Sequence, residues 1–362
     1  MPENFQRYAI TLVKFAVPVA IIWFLLNRIE PAEWDDLMAR SINVPLLVGA
    51  LAVAICALLV SFVRWWVLVR CQGIPLSLME ALRLSSICFL LSFVSAGSVG
   101  GDLFKAVFLA RRSPGKRVAA VASVVVDRGA GLYGLLLLVS GGLLIHQSKD
   151  PFEFNGITID DIKLITIVLL SVGSAILATL VFGGKFVDTL LQRGEKLPVV
   201  GSLIEHVGPP LRMFHHHPWA FASSLLMSVV VQGLLVISMY LIAVSMYALP
   251  PTLAEHFVIV PIGMLMSALP LTPAGVGVLE VTIETLYHII PAKATDASGT
   301  LVALAFELVK VVMAIIGTIF YWTAGSEVQE SLEEASTSDS NTGESHPHGS
   351  ETVESETEHP AT

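Results

Sequence analysis

Asp102 and Lys105 stand three residues apart in an apolar run, directly after the glycines of SAGSVGGDLFK, residues 95–105. Glu307 and Lys310 repeat that spacing in LAFELVK, residues 304–310. Asp127 and Arg128 are adjacent in VVVDRGAGL, residues 124–132, and Glu280 and Glu284 lie one turn apart after LTPAGVGVLE, residues 271–280. A charge at the centre of a membrane helix costs at least ~2.5–3.5 kcal/mol on insertion scales. A chain that keeps this many keeps them for pairing or for function. The i,i+3 pairs share a helix face and can neutralise each other locally. Asp127 and Arg128 point in different directions, so each needs a partner on another helix. Converging at one depth, the whole set would form a polar cavity.

The backbone around these charges points to anion chemistry. Gly97, Gly100 and Gly101 break the first segment, and Pro273, Gly275 and Gly277 break the second. A half-helix that begins inside the membrane starts with unbonded N–H groups and the positive end of its dipole. Two such termini suit a phosphate or carboxylate, and glycine lets it approach the backbone. Arg128, Lys105 and Lys310 would add cationic contacts. Asp102 and Glu280 would cap the new helices and attract an ammonium group, or a coupling proton or cation.

The elements that must position these residues follow from composition. The 362 residues are 54% hydrophobic and 14% charged, with mean hydropathy +0.74, against about 25% charged in soluble domains. Apolar stretches long enough to cross a bilayer recur, and the expected fold is an all-α polytopic membrane protein. Six spans are expected, at 9–26, 45–63, 118–145, 163–182, 219–248 and 299–322, with two interrupted segments at 84–112 and 256–290. The stretch 9–26 ends in Asn27 and Arg28 rather than a small-residue cleavage site, so it reads as a span and not a secretory signal.

Positive charge sets the orientation. Arg64, Arg70 and Arg83 follow the second span, Lys105 to Arg117 precede the third, and Lys185, Arg193, Lys196 and Arg212 fill 183–218. These stretches read as cytoplasmic, and the acidic loop 146–162 as external. Both flanks of 84–112 then stay on the cytoplasmic side, which makes that segment a re-entrant hairpin. The segment 256–290 would dip from the opposite face. In each break an acid follows a glycine by five residues, Gly97 to Asp102 and Gly275 to Glu280, as an inverted-topology repeat would place them. Both termini fall in the cytoplasm, at the cytoplasmic membrane of a bacterium-like cell.

The body spans residues 1–325, and residues 326–362 form an acidic tail expected to be disordered. From Glu327 onward the chain has ten acids and no Lys or Arg, so the net charge of −9 belongs to the tail. Cys56, Cys71 and Cys88 show no disulfide or zinc spacing and read as packing residues. His215, His216 and His217 cannot share one helix face and read as surface residues. No metal site, catalytic group, nucleotide-binding motif or cofactor is expected, and no nucleic acid partner; the oligomeric state is left open.

At these motifs the chain resembles the lysylphosphatidylglycerol synthase transmembrane-region family, the flippase-like integral membrane domain. The resemblance rests on AGSVGGDLFKAVFLARR (96–112), VVVDRGAGL (124–132) and LTPAGVGVLE (271–280), in order, and covers about residues 5–323. Departures are mild: Ala96-Gly97 where Pro-Gly is usual, Asp102 for Glu, Lys105 for Arg, and Pro273-Ala274-Gly275 for a tighter Pro-Gly-Gly. The aminoacyl-transferase domain of the full synthases is not part of this sequence, so lipid aminoacylation is not implied. The resemblance implies a lipid translocase whose anionic phospholipid, or lipid-linked headgroup, rests at the paired breaks. The competing readings are an ion-coupled carrier of a small anion, a membrane-embedded transferase for lipid-linked sugars, and a membrane regulator or scaffold.

Overall fold

The computed structural model describes residues 40–91, 100–145, 153–154, 157–182, 216–268 and 277–323. The first expected span (9–26), Gly97, Pro273, Gly275 and the tail lie outside them, as does the side chain of Lys310. The helices are α1 Val44–Cys71, α2 Leu78–Leu91, α3 Gly100–Arg112, α4 Arg117–Ile145, α5 Ile159–Phe182, α6 Pro218–Met246, α7 Leu253–Ser267, α8 Val278–Ile289 and α9 Gly299–Thr323. A 3-10 turn, Pro114–Lys116, joins α3 to α4, and two two-residue strands pair antiparallel before α5.

Among the described residues, four helical segments are long and apolar enough to cross a membrane: Val44–Cys71, Pro114–Leu144, Pro218–Met246 and Gly299–Phe320. The apolar stretches Lys163–Thr179 and Leu253–Ser267 are shorter. The expected end of the second span at residue 63 is corrected. The helix runs on to Cys71, because Trp65, Trp66, Val67, Leu68 and Val69 continue the apolar pattern beyond Arg64. Arg64 is therefore a buried mid-helix residue and not part of a basic loop. Asn43 starts α1 by accepting a bond from Leu46 N–H (3.3 Å). Gly73, at φ 69°, turns the chain after its end. Cys56 is corrected too: it is exposed, whereas Cys71 and Cys88 are buried.

The helices pack by exchange between two halves. Helix α1 lies antiparallel on α6: Asn43 N–H donates to Ser245 O at one end (2.9 Å), and Ser238 Oγ donates to Ala50 O further along (2.8 Å). Helix α3 packs on α4, and α8 on α9. The arms that precede them cross over, so that α2 packs on α9 and α7 on α4. Both crossings are made by glycine. Gly142 of α4 meets the backbone of Phe257, and Gly317 of α9 meets the backbone of Ser86. A methyl group at either position would collide with a carbonyl oxygen. Small residues of this kind let membrane helices approach closely.

Each interrupted segment is a helical hairpin whose two ends meet. At the first, Ser77 N–H donates to Glu80 Oε2 (2.8 Å) and Glu80 N–H to Ser77 Oγ (3.2 Å), a capping box that starts α2. The other oxygen of Glu80 accepts from Arg112 Nη2 (2.6 Å), at the end of α3. At the second, Thr252 and Glu255 form the same box at the start of α7. Glu255 Oε1 accepts from Ala292 N–H (2.9 Å), just past α8. The first mouth lies beside the end of α1, where Lys116 Nζ donates to Gly73 O (2.7 Å). The second lies at the far end of the bundle, where Asp296 receives Arg40 (3.1 Å) and Leu249 N–H (2.9 Å).

Candidate functional site

The second arm of each hairpin carries an acid at its third residue: Asp102 in α3 and Glu280 in α8. The two are used differently. Asp102 forms an ion pair with Arg128, eleven residues into α4, about 16 Å along the helix at ~1.5 Å per residue. Glu280 is buried and folds back on its own helix start. Its Oε2 accepts from Gly277 N–H (2.6 Å), at a glycine with φ 90° that no other residue adopts easily. The second oxygen, Oε1, is buried and has no hydrogen-bond partner among the described residues.

Asp127 and Arg128 do find separate helices. Asp127 Oδ1 accepts from Arg64 Nε of α1 (2.8 Å), and both side chains are buried. Arg64 Nη1 donates in addition to Ser228 Oγ of α6 (2.9 Å). Gly131 faces the Arg64 guanidinium, and a Cβ there would sit in ordinary van der Waals contact with it at 3.4 Å. This buried knot ties α1, α4 and α6 together. Arg128 turns the other way. Its side chain is 55% exposed, on the face of α4 that also exposes Val121, Val125 and Leu132.

The local pairs expected from spacing do not all form. Asp102 pairs with Arg128 rather than with Lys105. Lys105 is buried instead against the rings of Trp65 (4.9 Å) and Phe62 (5.7 Å) of α1. Glu284 is spoken for: its Oε2 accepts from Thr300 N–H (2.6 Å) and Ser298 Oγ (3.2 Å), which caps α9. Its Oε1 meets His288 Nε2 (2.9 Å). Glu307 is fully buried on α9, and Lys310 lies on the same helix. Gly100 and Gly101 open α3, and Gly277 precedes α8.

With the two hairpins, their acids and the Asp102–Arg128 pair in place, a comparison with known families decides the class. The model of the lysylphosphatidylglycerol synthase TM region matches residues 10–317. The chain belongs to this family. It is an integral membrane protein of the lysylphosphatidylglycerol synthase TM-region type, with all the described motifs inside the matched range. No curated protein matches it.

For this family member, reasoning from sequence missed several residues. Arg64 reads as a loop residue by its position after an expected span; the five apolar residues after it are the signal that it stays in the helix. Glu80 and Glu255 follow Ser77 and Thr252 by three residues, a capping signature that was open to reading. Trp65 and Ser228 carried no signal, because only the packing of helices far apart in sequence brings them to Lys105 and Arg64.

Proposed function

We propose that this protein is a lipid translocase that moves an anionic phospholipid, or a lipid-linked anionic headgroup, between leaflets. The Asp102–Arg128 pair carries the reading. It lies about 16 Å along α4 at ~1.5 Å per residue, at the first turn of a half-helix, and its arginine is exposed among apolar side chains. A headgroup at that pair would leave its tails against Val121, Val125 and Leu132, the arrangement a lipid needs. A small soluble anion would need no apolar flank.

Two further observations support an inverted-repeat arrangement of six spans and two re-entrant hairpins. The hairpin mouths lie at opposite ends of the bundle, and the helices exchange partners in matched pairs, α2 with α9 and α7 with α4. In that arrangement Asp102 and Glu280 enter from opposite leaflets, with the basic end of the bundle and both termini in the cytoplasm. Rocking of one half against the other would expose the headgroup to each leaflet in turn. Gly97, Pro273, Gly275, Glu307 and Lys310 complete the proposed site from the two breaks and α9. A proton or cation at Glu280 is the proposed coupling species.

Reconstitution with fluorescent lipids of several headgroups, read by leaflet-selective quenching, tests the proposal. Headgroup-selective flipping is expected, and Arg128→Ala and Glu280→Ala should each abolish it while the protein remains folded and monodisperse. Unchanged transport in both variants contradicts the assigned site.

A further inference from the structure

The end of the bundle at which the first hairpin opens carries charge of one sign. Arg70 lies in the last turn of α1 and Arg83 in the second turn of α2; Arg111 and Arg112 end α3, and Lys116 and Arg117 lead into α4. All six residues are exposed. Direct contacts bring them to one rim. Trp66 Nε1–H of α1 donates to Leu76 O just ahead of α2 (2.9 Å), Lys116 Nζ donates to Gly73 O, and Arg112 Nη2 donates to Glu80 of α2. In the stretches 70–83 and 108–120, which build this rim, Glu80 is the one carboxylate.

Helix α9 ends at the same rim. It packs on α2, and the Arg83 guanidinium lies 6.0 Å from the ring centre of Phe320, in the last turn of α9. The sequence turns acidic directly after that helix. Residues 327–334 carry Glu327, Glu330, Glu333 and Glu334 and no Lys or Arg. At ~3.3–3.6 Å per residue, the chain from Thr323 to Glu334 reaches up to about 40 Å. Neighbouring helices stand only about 8–10 Å apart. All the rim cations therefore lie within reach of those four carboxylates.

We infer that the acidic segment Glu327–Glu334 docks on this basic rim within the same molecule. Opposite charge matches the two surfaces, and attachment at the end of α9 sets one beside the other. Anionic lipid headgroups compete for basic residues at a membrane edge. A short tether, however, holds the segment at an effective concentration of about millimolar, and its four carboxylates act together. The docked segment would join α2 to α3 at the end where Glu80 and Arg112 already meet, so it would brace the mouth of the first hairpin. The inference needs no assumption about what the protein transports.

A zero-length carbodiimide cross-linker, followed by peptide mass spectrometry, tests this on the full chain in phosphatidylcholine nanodiscs. Lys116 is the one amine on the rim, and exposed Lys293, beside the second mouth, serves as the control. At low salt Lys116 should join to acids of 327–334 and Lys293 should not. The product should disappear at about 1 M salt, where the screening length is ~3 Å. The triple variant Arg83→Gln, Arg111→Gln, Arg117→Gln should lower the yield about tenfold with an unchanged thermal midpoint. The salt comparison decides with wild-type protein alone if that variant fails to fold. No product at Lys116, an equal yield at Lys293, or a yield insensitive to salt overturns the inference. Nanodiscs of phosphatidylglycerol separate the competing occupant. A yield like that in phosphatidylcholine assigns the rim to the segment; its loss there assigns the rim to anionic lipid and overturns the inference.

Discussion

The two hairpins are built alike at the mouth and differ at the tip. Each first arm starts with a hydroxyl–carboxylate capping box, Ser77 with Glu80 and Thr252 with Glu255, and each carboxylate uses its second oxygen to hold the end of the second arm. At the tips, Asp102 reaches across to Arg128, whereas Glu280 folds back on Gly277 and keeps one oxygen unbonded. Beside the first hairpin Lys105 lies over the rings of Trp65 and Phe62, whereas among the described residues the second holds an acceptor without a partner, Glu280 Oε1. The arms of the second hairpin are joined again further along, by His256 Nε2 and Tyr287 OH (2.8 Å), with Tyr240 edge-on to the imidazole.

The largest effect is expected where the first half is pinned to its neighbours. Arg64→Ala strands Asp127 in the interior and should destabilise the protein by about 3–5 kcal/mol, the range for half of a broken buried pair. A reduced yield of folded protein and a lower thermal midpoint check this. The double variant Arg64→Met with Asp127→Leu should recover much of the loss, because no lone charge remains.

The two glycine crossings give the next effect and test whether the halves are equivalent. Gly142→Ala and Gly317→Ala each drive a methyl group into a backbone carbonyl, and overpacking of this kind costs about 1–3 kcal/mol. Losses of similar size in the two variants support matched crossings; a large loss in one and none in the other breaks the match.

The general plan could be read from residues, and the pairing could not. Glycine and proline at the breaks, and acids five residues after Gly97 and Gly275, announced two interrupted segments. The apolar runs placed α4, α6 and α9 within a few residues. Arg64 reads as a loop anchor because an arginine near an expected span end ordinarily is one, and only the five apolar residues after it, Trp65 to Val69, argue otherwise. That Asp102 prefers Arg128 over Lys105, or that Gly142 touches Phe257, depends on contacts between helices far apart in sequence. Spacing along one helix carries no record of them.

The smallest effects are expected at the mouths, where the hairpins differ in burial. Glu255 is buried, and Glu255→Ala leaves Ala292 N–H and the Thr252 cap unmet, a loss of about 2 kcal/mol. Glu80 and Arg112 are both well exposed, so Glu80→Ala should cost about 1 kcal/mol or less. The Glu80 mouth should show in acid instead. The Ser77 N–H foremost, then the Ser77 hydroxyl and Arg112, outweigh partial burial and hold the Glu80 carboxyl down at about 2. A carboxyl depressed in the folded state stabilises above its unfolded value of about 4.3 and loses that contribution as pH falls toward 2. Thermal midpoints between pH 5 and 3 should therefore fall less steeply in Glu80→Gln than in the wild type.

The central claim is that the two hairpins enter the bilayer from opposite faces. In a background with Cys56, Cys71 and Cys88 replaced, single cysteines at Met79 and Arg112 mark the first mouth, and at Leu253 and Ala292 the second. Sealed vesicles of one orientation are then treated with a membrane-impermeant maleimide. Both residues of one pair should label only from one side, and both residues of the other pair only from the opposite side. Labelling of all four from the same side, or a split within either pair, contradicts the account.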